Sequence, residues 1–179
     1  MTLAPIALFV YNLALLPIIF FSILFIILTA INLFFGKKKE AENKEMKNLP
    51  FVTVQIPTYN DPIAERCIRQ CMQFDYPKDK YEIIIADDST SIETQELLAK
   101  FEEQNKGLIK YVHRSNRNGF KAGALKNSMK YAKGEIIVLF DADWIPGKDF
   151  LTKVIPPFSD PKVALVQTRQ GVYNKESNL

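Results

Sequence analysis

The sequence is short of the residues that build several common classes of protein. Only two cysteines, Cys67 and Cys71, occur in 179 residues, which excludes a disulfide-stapled scaffold. A single histidine, His113, leaves those thiols without the partners that a zinc site needs. Neither sign of charge dominates, since 23 Lys and Arg stand against 20 Asp and Glu for a net charge of +3. No basic stripe with interleaved aromatics is present, so no nucleic-acid partner is expected. Two phosphate-binding signatures are also missing. Without G-x-G-x-x-G after the first strand a dinucleotide fold is unsupported, and without G-x-x-x-x-G-K-[ST] a P-loop nucleotidase is excluded. The sequence contains no internal repeat and no low-complexity tract.

A further absence divides the chain in two. Residues 1–36 contain no charged side chain, so every charge follows Gly36. From Leu3 to Phe35 the residues are almost all Leu, Ile, Phe, Ala and Val. A helix of that length reaches about 50 Å at ~1.5 Å per residue, against a hydrocarbon core of ~30 Å. Tilt can absorb the excess. Pro5 and Pro17 are natural break points, and Pro17 to Phe35 is long enough to span alone. A signal peptide fits poorly, because a basic leading region is missing and the apolar run is too long. Lys37, Lys38 and Lys39 follow at once, with Lys44 and Lys47 behind them. Positive residues flanking a span stay on the cytoplasmic side, so the globular part is expected there, with Met1 outside and lipid as a partner of residues 1–36. Residues 37–50 read as a charged linker and residues 51–179 as one domain. Reduced thiols suit that compartment.

Within the domain, apolar runs alternate with helical patterns. Val52–Ile56 is a short β-branched run ending at Pro57, and reads as a buried strand. Pro62 opens a helix with Asp61 or Asn60 as cap. Its residues Ile63, Cys67, Cys71 and Phe74 recur at helical spacing, which places both thiols on a core face. Glu82–Ala86 is a second strand, leading to Asp87 and Asp88. Ser91 caps a helix that carries Leu97, Leu98 and Phe101 and ends near Gly107. Leu108–Val112 is a third strand, and Lys121–Ala132 a helix stopped by Gly134. Ile136–Phe140 is the strongest strand and ends in Asp141-Ala-Asp143. A helix over 148–155 and a last strand over Val163–Gln167 complete the pattern. Alternation of this kind predicts an α/β fold with a mostly parallel sheet in right-handed crossovers. Ligands in such sheets bind beyond the carboxyl ends of the strands, where the strand order reverses. In the order 3-2-1-4 the tips Thr58–Asp61, Asp87-Asp88 and Asp141–Asp143 converge on one rim.

Two carboxylates leaving a hydrophobic strand are costly unless neutralised. A divalent cation with oxygen ligands would do so, and Mg²⁺ is held by one or two carboxylates plus substrate phosphates. Lys121 and Lys126 stand at the start of a helix, whose free N–H groups offer an anion site. Solvated carboxylates in a loop, and a merely solvated helix start, are the plainer readings of the same residues.

Five motifs then appear in order: Gln55–Asp61 (QIPTYND), Ile84–Ser89 (IIADDS), Gly119–Gly123 (GFKAG), Phe140–Asp143 (FDAD) and Val166–Arg169 (VQTR). Together they resemble the processive family 2 glycosyltransferases, the group of cellulose synthases and cellulose synthase-like mannan synthases. The resemblance covers residues 50–179 and implies a GT-A, Rossmann-like fold that binds a nucleotide-diphospho-sugar. By that resemblance Pro57, Thr58, Tyr59 and Asn60 form the nucleoside loop, with Tyr59 against the nucleoside. Asp88 accepts from the uracil imide N–H. Lys121 contacts the diphosphate, Asp141 lies against the nucleotide, and Asp143 ligates Mg²⁺ or Mn²⁺. Gln167 and Arg169 lie towards the sugar and acceptor. A UDP-sugar is the preferred donor, with GDP-mannose open, and the acceptor is a glycan. Inversion at the anomeric carbon is implied, with a carboxylate taking the proton of the acceptor hydroxyl.

The sequence departs from the family at three places. Ala124 stands where Asn often follows Lys-Ala-Gly, and no aromatic follows Gln167-Thr-Arg169 near Gly171. No acid matches the family's Thr-Glu-Asp base, so the catalytic base is expected beyond Leu179, as are the Gln-x-x-Arg-Trp motif and later membrane helices. Asp149 and Asp160 read as surface residues, and His113 as the end of a strand. A membrane-tethered nucleotide-binding module without turnover is the alternative reading. A haloacid-dehalogenase-type phosphatase also carries D-x-D after an apolar strand, but there the motif ends the first strand, and Ile145 stands where Thr or Val is usual.

Overall fold

The computed structural model describes residues 4–35, 48–168 and 171. It divides into two compact units, Met1–Glu40 and Ala41–Leu179. The linker expected over 37–50 lies outside the described residues except at 48–50.

In the first unit a single helix, α1, runs over Ala4–Phe35 and passes through Pro17 without ending there. The break expected at Pro17 therefore does not occur. Proline removes one N–H donor and strains the preceding turn, but the apolar residues on both sides have no better alternative than helix. The second expected break, Pro5, sits in the first turn, where a missing N–H costs nothing. No residue of α1 is buried, and large side chains such as Phe9, Phe20 and Phe25 are exposed on it. Its most apolar window has a mean hydropathy of 2.8. It is long and apolar enough to cross a membrane.

In the second unit the strands are β1 (Val52–Thr58), β2 (Tyr81–Asp87), β3 (Ile109–His113) and β4 (Ile136–Leu139). All pairings are parallel and the order is β3-β2-β1-β4, as the alternating pattern predicts. Every residue of β1 and β2 is buried, whereas the edge strands β3 and β4 are partly exposed. The difference follows from position, since central strands are covered on both faces.

The two faces of the sheet are unlike. One carries Val52, Val54, Ile56, Ile83 and Ile85 into a core with Phe74, Tyr81, Phe140 and Leu151. Helix α2 (Ala64–Cys71) contributes Ala64, Cys67, Ile68 and Cys71, all buried. The thiols therefore lie on the core face as expected. Ile63 does not; it precedes the helix and is 47% exposed. The other face is more polar, with Thr53, Gln55 and Glu82 buried. Helix α4 (Phe120–Ser128) packs on β1 and β2, and Gln55 Nε2 lies 3.1 Å from Met129 Sδ.

Helix α3 (Ile92–Gln104) begins as expected, with Ser91 Oγ accepting from Thr94 N. Other boundaries differ. The helix expected to Ala132 ends at Ser128, because residues 130–132 switch to three-residue bonds such as Tyr131 N to Ser128 O, 3.0 Å. That tightening satisfies the last carbonyls. The helix expected over 148–155 is reduced to α5 (Phe150–Val154), followed by a short 3₁₀ turn over Pro156–Ser159. The strand expected over Val163–Gln167 does not form. Its residues make no ladder with β4, and β-branched composition alone cannot hold a strand without a partner.

Candidate nucleotide and metal site

Parallel register fixes which residues share the rim. Thr58 lies opposite Asp87, and Asp87 opposite His113. Phe140 N donates to Gln55 O at 3.1 Å, so Asp141 leaves the sheet beside the end of β1. The three expected tips therefore do converge.

The loop after β1 is held by the loop after β2. Asn60 has a left-handed backbone, φ 48°. Its N donates to Ser89 Oγ at 2.8 Å, and its Oδ1 accepts from Thr90 N and Ser91 N at 2.8 and 2.9 Å. The Asn60 amide is thus engaged in fixing the loop that presents Tyr59. Tyr59 is 41% exposed. Thr58 is buried, and its hydroxyl has no partner among the described residues.

Asp87, the last residue of β2, and Asp88 after it are both buried and hydrogen-bonded. Asp87 Oδ2 accepts from Tyr111 Oη and lies against His113 Nδ1, each at 2.8 Å, while its Oδ1 accepts from Ser89 N at 3.0 Å. Burial, and then the bond to Asp87, push the Tyr111 hydroxyl above its ordinary pKa. Asp88 forms a bidentate pair with Arg114, Nε to Oδ1 at 2.6 Å and Nη2 to Oδ2 at 2.5 Å. The bond to Asp88 raises the Arg114 pKa further. Each Asp88 oxygen retains a lone pair, so the carboxylate is oriented but still able to accept. Arg114 also donates to Asn118 O and Phe120 O at 3.1 and 3.2 Å. Gly123 is required here, because a Cβ would lie 1.9 Å from Asn118 O.

The carboxylates after β4 are different in kind. Asp141 is half exposed and pairs with Lys121, itself half exposed, at the start of α4. Asp143 is exposed and has no ion pair among the described residues. Trp144 N donates to Asp141 O at 3.1 Å, which closes a turn around Ala142 and Asp143. These two carboxylates suit a hard divalent cation such as Mg²⁺ or Mn²⁺. Among the described residues no three His, Cys, Asp or Glu side chains cluster, so the remaining ligands would be phosphate oxygens and water.

The side expected to face the sugar is less complete. Gln167 is exposed and, with Trp144 and Val166, lines a groove of about 1070 Å³ along β4. That groove is bordered by neither Asp141 nor Asp143. Arg169 lies outside the described residues. Asp149 pairs with the neighbouring Lys153 on the surface, as expected. His113 ends β3, as expected, but it also holds Asp87. The Asp87–Tyr111–His113 and Asp88–Arg114 contacts went unread in the sequence. Tyr111 and His113 are two apart on one strand, hence on one face, and that spacing was the available signal.

Three comparisons bear on this arrangement. The profile described as "Glycosyl transferase family 2" matches residues 53–179. The chain is 41% identical over 146 residues to a probable glucomannan 4-beta-mannosyltransferase of Oryza sativa subsp. japonica, covering 77% of this chain and 25% of that one. It is 30% identical over 151 residues to a beta-monoglucosyldiacylglycerol synthase of Trichormus variabilis, covering 84% and 32%. The chain thus spans about a quarter to a third of the length of these relatives. Among solved structures, the mannosyltransferase PcManGT of Pyrobaculum calidifontis, in complex with GDP-Man and Mn²⁺, has a TM-score of 0.60 at 34% identity and covers 65% of this chain and 34% of that one. TarS of S. aureus shares the fold, with a TM-score of 0.51 at 24% identity, covering 56% and 30%.

Proposed function

Because the chain belongs to glycosyl transferase family 2, we propose that its rim binds a nucleoside-diphospho-sugar with Mg²⁺ or Mn²⁺ and transfers the sugar to a glycan, from a domain anchored in the membrane by α1. The observation that carries this reading is the pairing of unlike carboxylates at one rim. Asp88 is buried and aimed by Arg114, whereas Asp141 is half exposed and paired with Lys121, and Asp143 is exposed.

Each side suits one half of the donor. Asp88 accepts from the ring N–H that uracil and guanine share beside a carbonyl, and adenine lacks that N–H. Tyr59 offers its ring to the base. Lys121 moves from Asp141 towards the diphosphate, and Asp143 holds the cation. A bound cation supplies Lewis-acid neutralisation of the departing diphosphate. Lys121 adds a positive charge where negative charge builds during glycosyl–phosphate cleavage. Gln167 is assigned to the sugar side, as Arg169 is by the family resemblance alone. The base that takes the acceptor proton is assigned to no residue of this chain. The likeness to PcManGT, whose structure holds GDP-Man, favours GDP-mannose as donor over a UDP-sugar, and the lysines after α1 favour a cytoplasmic domain.

Calorimetric titration of the full chain in detergent with GDP, UDP and ADP, with and without Mn²⁺, tests the reading. Saturable binding of GDP and UDP, strengthened by Mn²⁺ and weaker for ADP, is expected. Asp88→Ala should weaken GDP by about 2 kcal/mol, the scale of a hydrogen bond to a charged group. Binding of none of the three, or equal binding of ADP, would overturn it.

A further inference from the structure

Arg117 has no part in the site described so far. It lies in the turn between β3 and α4, and its guanidinium carbon is 3.3 Å from the centroid of the Tyr59 ring. The Phe120 ring lies to it at 5.4 Å. Cation–ring contacts elsewhere among the described residues are looser, at 4.9–5.1 Å. Arg117 Nε is buried without a hydrogen-bond partner among the described residues. The backbone around it is pinned: Phe120 N donates to Arg117 O at 2.8 Å, and Arg114 ties Asn118 and Phe120 to Asp88. The side chain is the movable part. It makes no ion pair with any described residue.

We propose that Arg117 caps the stacking face of Tyr59, and that a nucleobase displaces it on binding. The inference rests on the reading of this rim as a nucleotide site, and adds a residue that sets affinity there. A guanidinium is flat and delocalised, and it stacks on an aromatic face as a base does. A base laid on this face of Tyr59 and the guanidinium exclude one another. Once the guanidinium leaves, the face of Tyr59 is open to a base, with the ring of the 67%-exposed Phe120 close to the same place. The unsatisfied Nε makes the capped arrangement a weak one for Arg117, because a buried donor without an acceptor is disfavoured. Displacement returns that donor to water. Base–aromatic stacking is stronger than an exposed cation–π contact, so the exchange favours the base.

The test compares Arg117→Ala and Arg117→Lys with the unaltered full chain, titrated with GDP, UDP and pyrophosphate in the presence of Mn²⁺. Arg117→Ala should bind GDP and UDP about two- to fivefold more tightly, the factor for removing an exposed cation–π contact of about 0.5–1 kcal/mol. Pyrophosphate has no base, and its affinity should not rise. Lysine keeps a cation that can sit over the ring but not the flat stacking group, so its gain should fall short of that of alanine. In a Tyr59→Ala background, adding Arg117→Ala should produce no gain. Weaker nucleotide binding by Arg117→Ala, or a rise for pyrophosphate equal to that for GDP, would overturn the cap and make Arg117 a ligand contact or a simple charge. Unaltered binding by both variants would overturn it as well. If no protein binds GDP or UDP at all, the nucleotide reading fails first and the cap falls with it.

Discussion

The two ends of the parallel sheet differ in how far the fold itself completes their polar groups. At the amino end Glu82 is 4% exposed, yet it is supplied with donors by its own fold. It accepts from Thr53 Oγ1 at 2.8 Å and from Lys133 N at 2.7 Å, while Gly134 N donates to Thr53 Oγ1 at 2.8 Å. Gly134 passes so close to β1 that a Cβ would lie 2.3 Å from Thr53 N. At the carboxyl end neither the Thr58 hydroxyl nor Arg117 Nε has a partner among the described residues. Asp143 is open to solvent with no ion pair among the described residues. A charge that serves the fold is surrounded by donors from that fold. At the rim Asp87 and Asp88 are likewise held by donors of the fold, but Thr58 and Asp143 are left for a ligand to complete, and stability is given up where binding is gained.

The largest effect should come from breaking the closed end. Glu82→Ala strips the acceptor from two donors in a buried setting, and should destabilise the domain by about 3 kcal/mol, counting hydrogen bonds to a charged group. Equilibrium unfolding by denaturant, followed by circular dichroism, measures it. A loss below about 0.5 kcal/mol, the range of surface substitutions, would mean that this end is no more closed than the other.

The fold was largely legible because its signals are repeated. Three short apolar strands that each end in acids, together with the β-α alternation, point to one sheet order and one rim. The glycosyltransferase resemblance added roles for Tyr59, Asp88, Lys121, Asp141 and Asp143. What stayed hidden depends on register between strands. Arg114 reaches Asp88 only because His113 lies opposite Asp87, and no local pattern shows that. Arg117 reaches Tyr59 across 58 positions, through a turn whose Gly119 and Phe120 have positive φ. The strand expected over Val163–Gln167 shows the converse. Its apolar, β-branched composition is real, but pairing is a property of two segments.

A smaller effect should appear with pH and loads both ends alike. Tyr81 at the amino end is pushed up to about 12 by burial and then by Cys71. Tyr111 near the rim is raised by burial and by Asp87. Both are raised above the unfolded value of about 10. Their contributions are therefore full below about pH 10 and fall as pH climbs above it, that of Tyr81 being lost through about 12. Denaturant midpoints measured from pH 8 to 12 should fall in that window, less steeply in Tyr81→Phe and in Tyr111→Phe. A slope changed by neither substitution would show that the decline arises elsewhere.

The smallest effect on stability, and the largest on binding, is expected at Asp143. The measurement is one pair of thermal melts for Asp143→Asn, without ligand and with GDP plus Mn²⁺, beside the same pair for the unaltered chain. Without ligand the two proteins should melt together within the range of a surface substitution, about 0.5 kcal/mol. With GDP the unaltered chain should gain further stability from Mn²⁺, as any ligand selective for the folded state provides, and Asp143→Asn should not. An unliganded variant that melts well below the unaltered chain, or one that keeps the full Mn²⁺ gain, would contradict the claim that this end of the sheet is left open for its ligand.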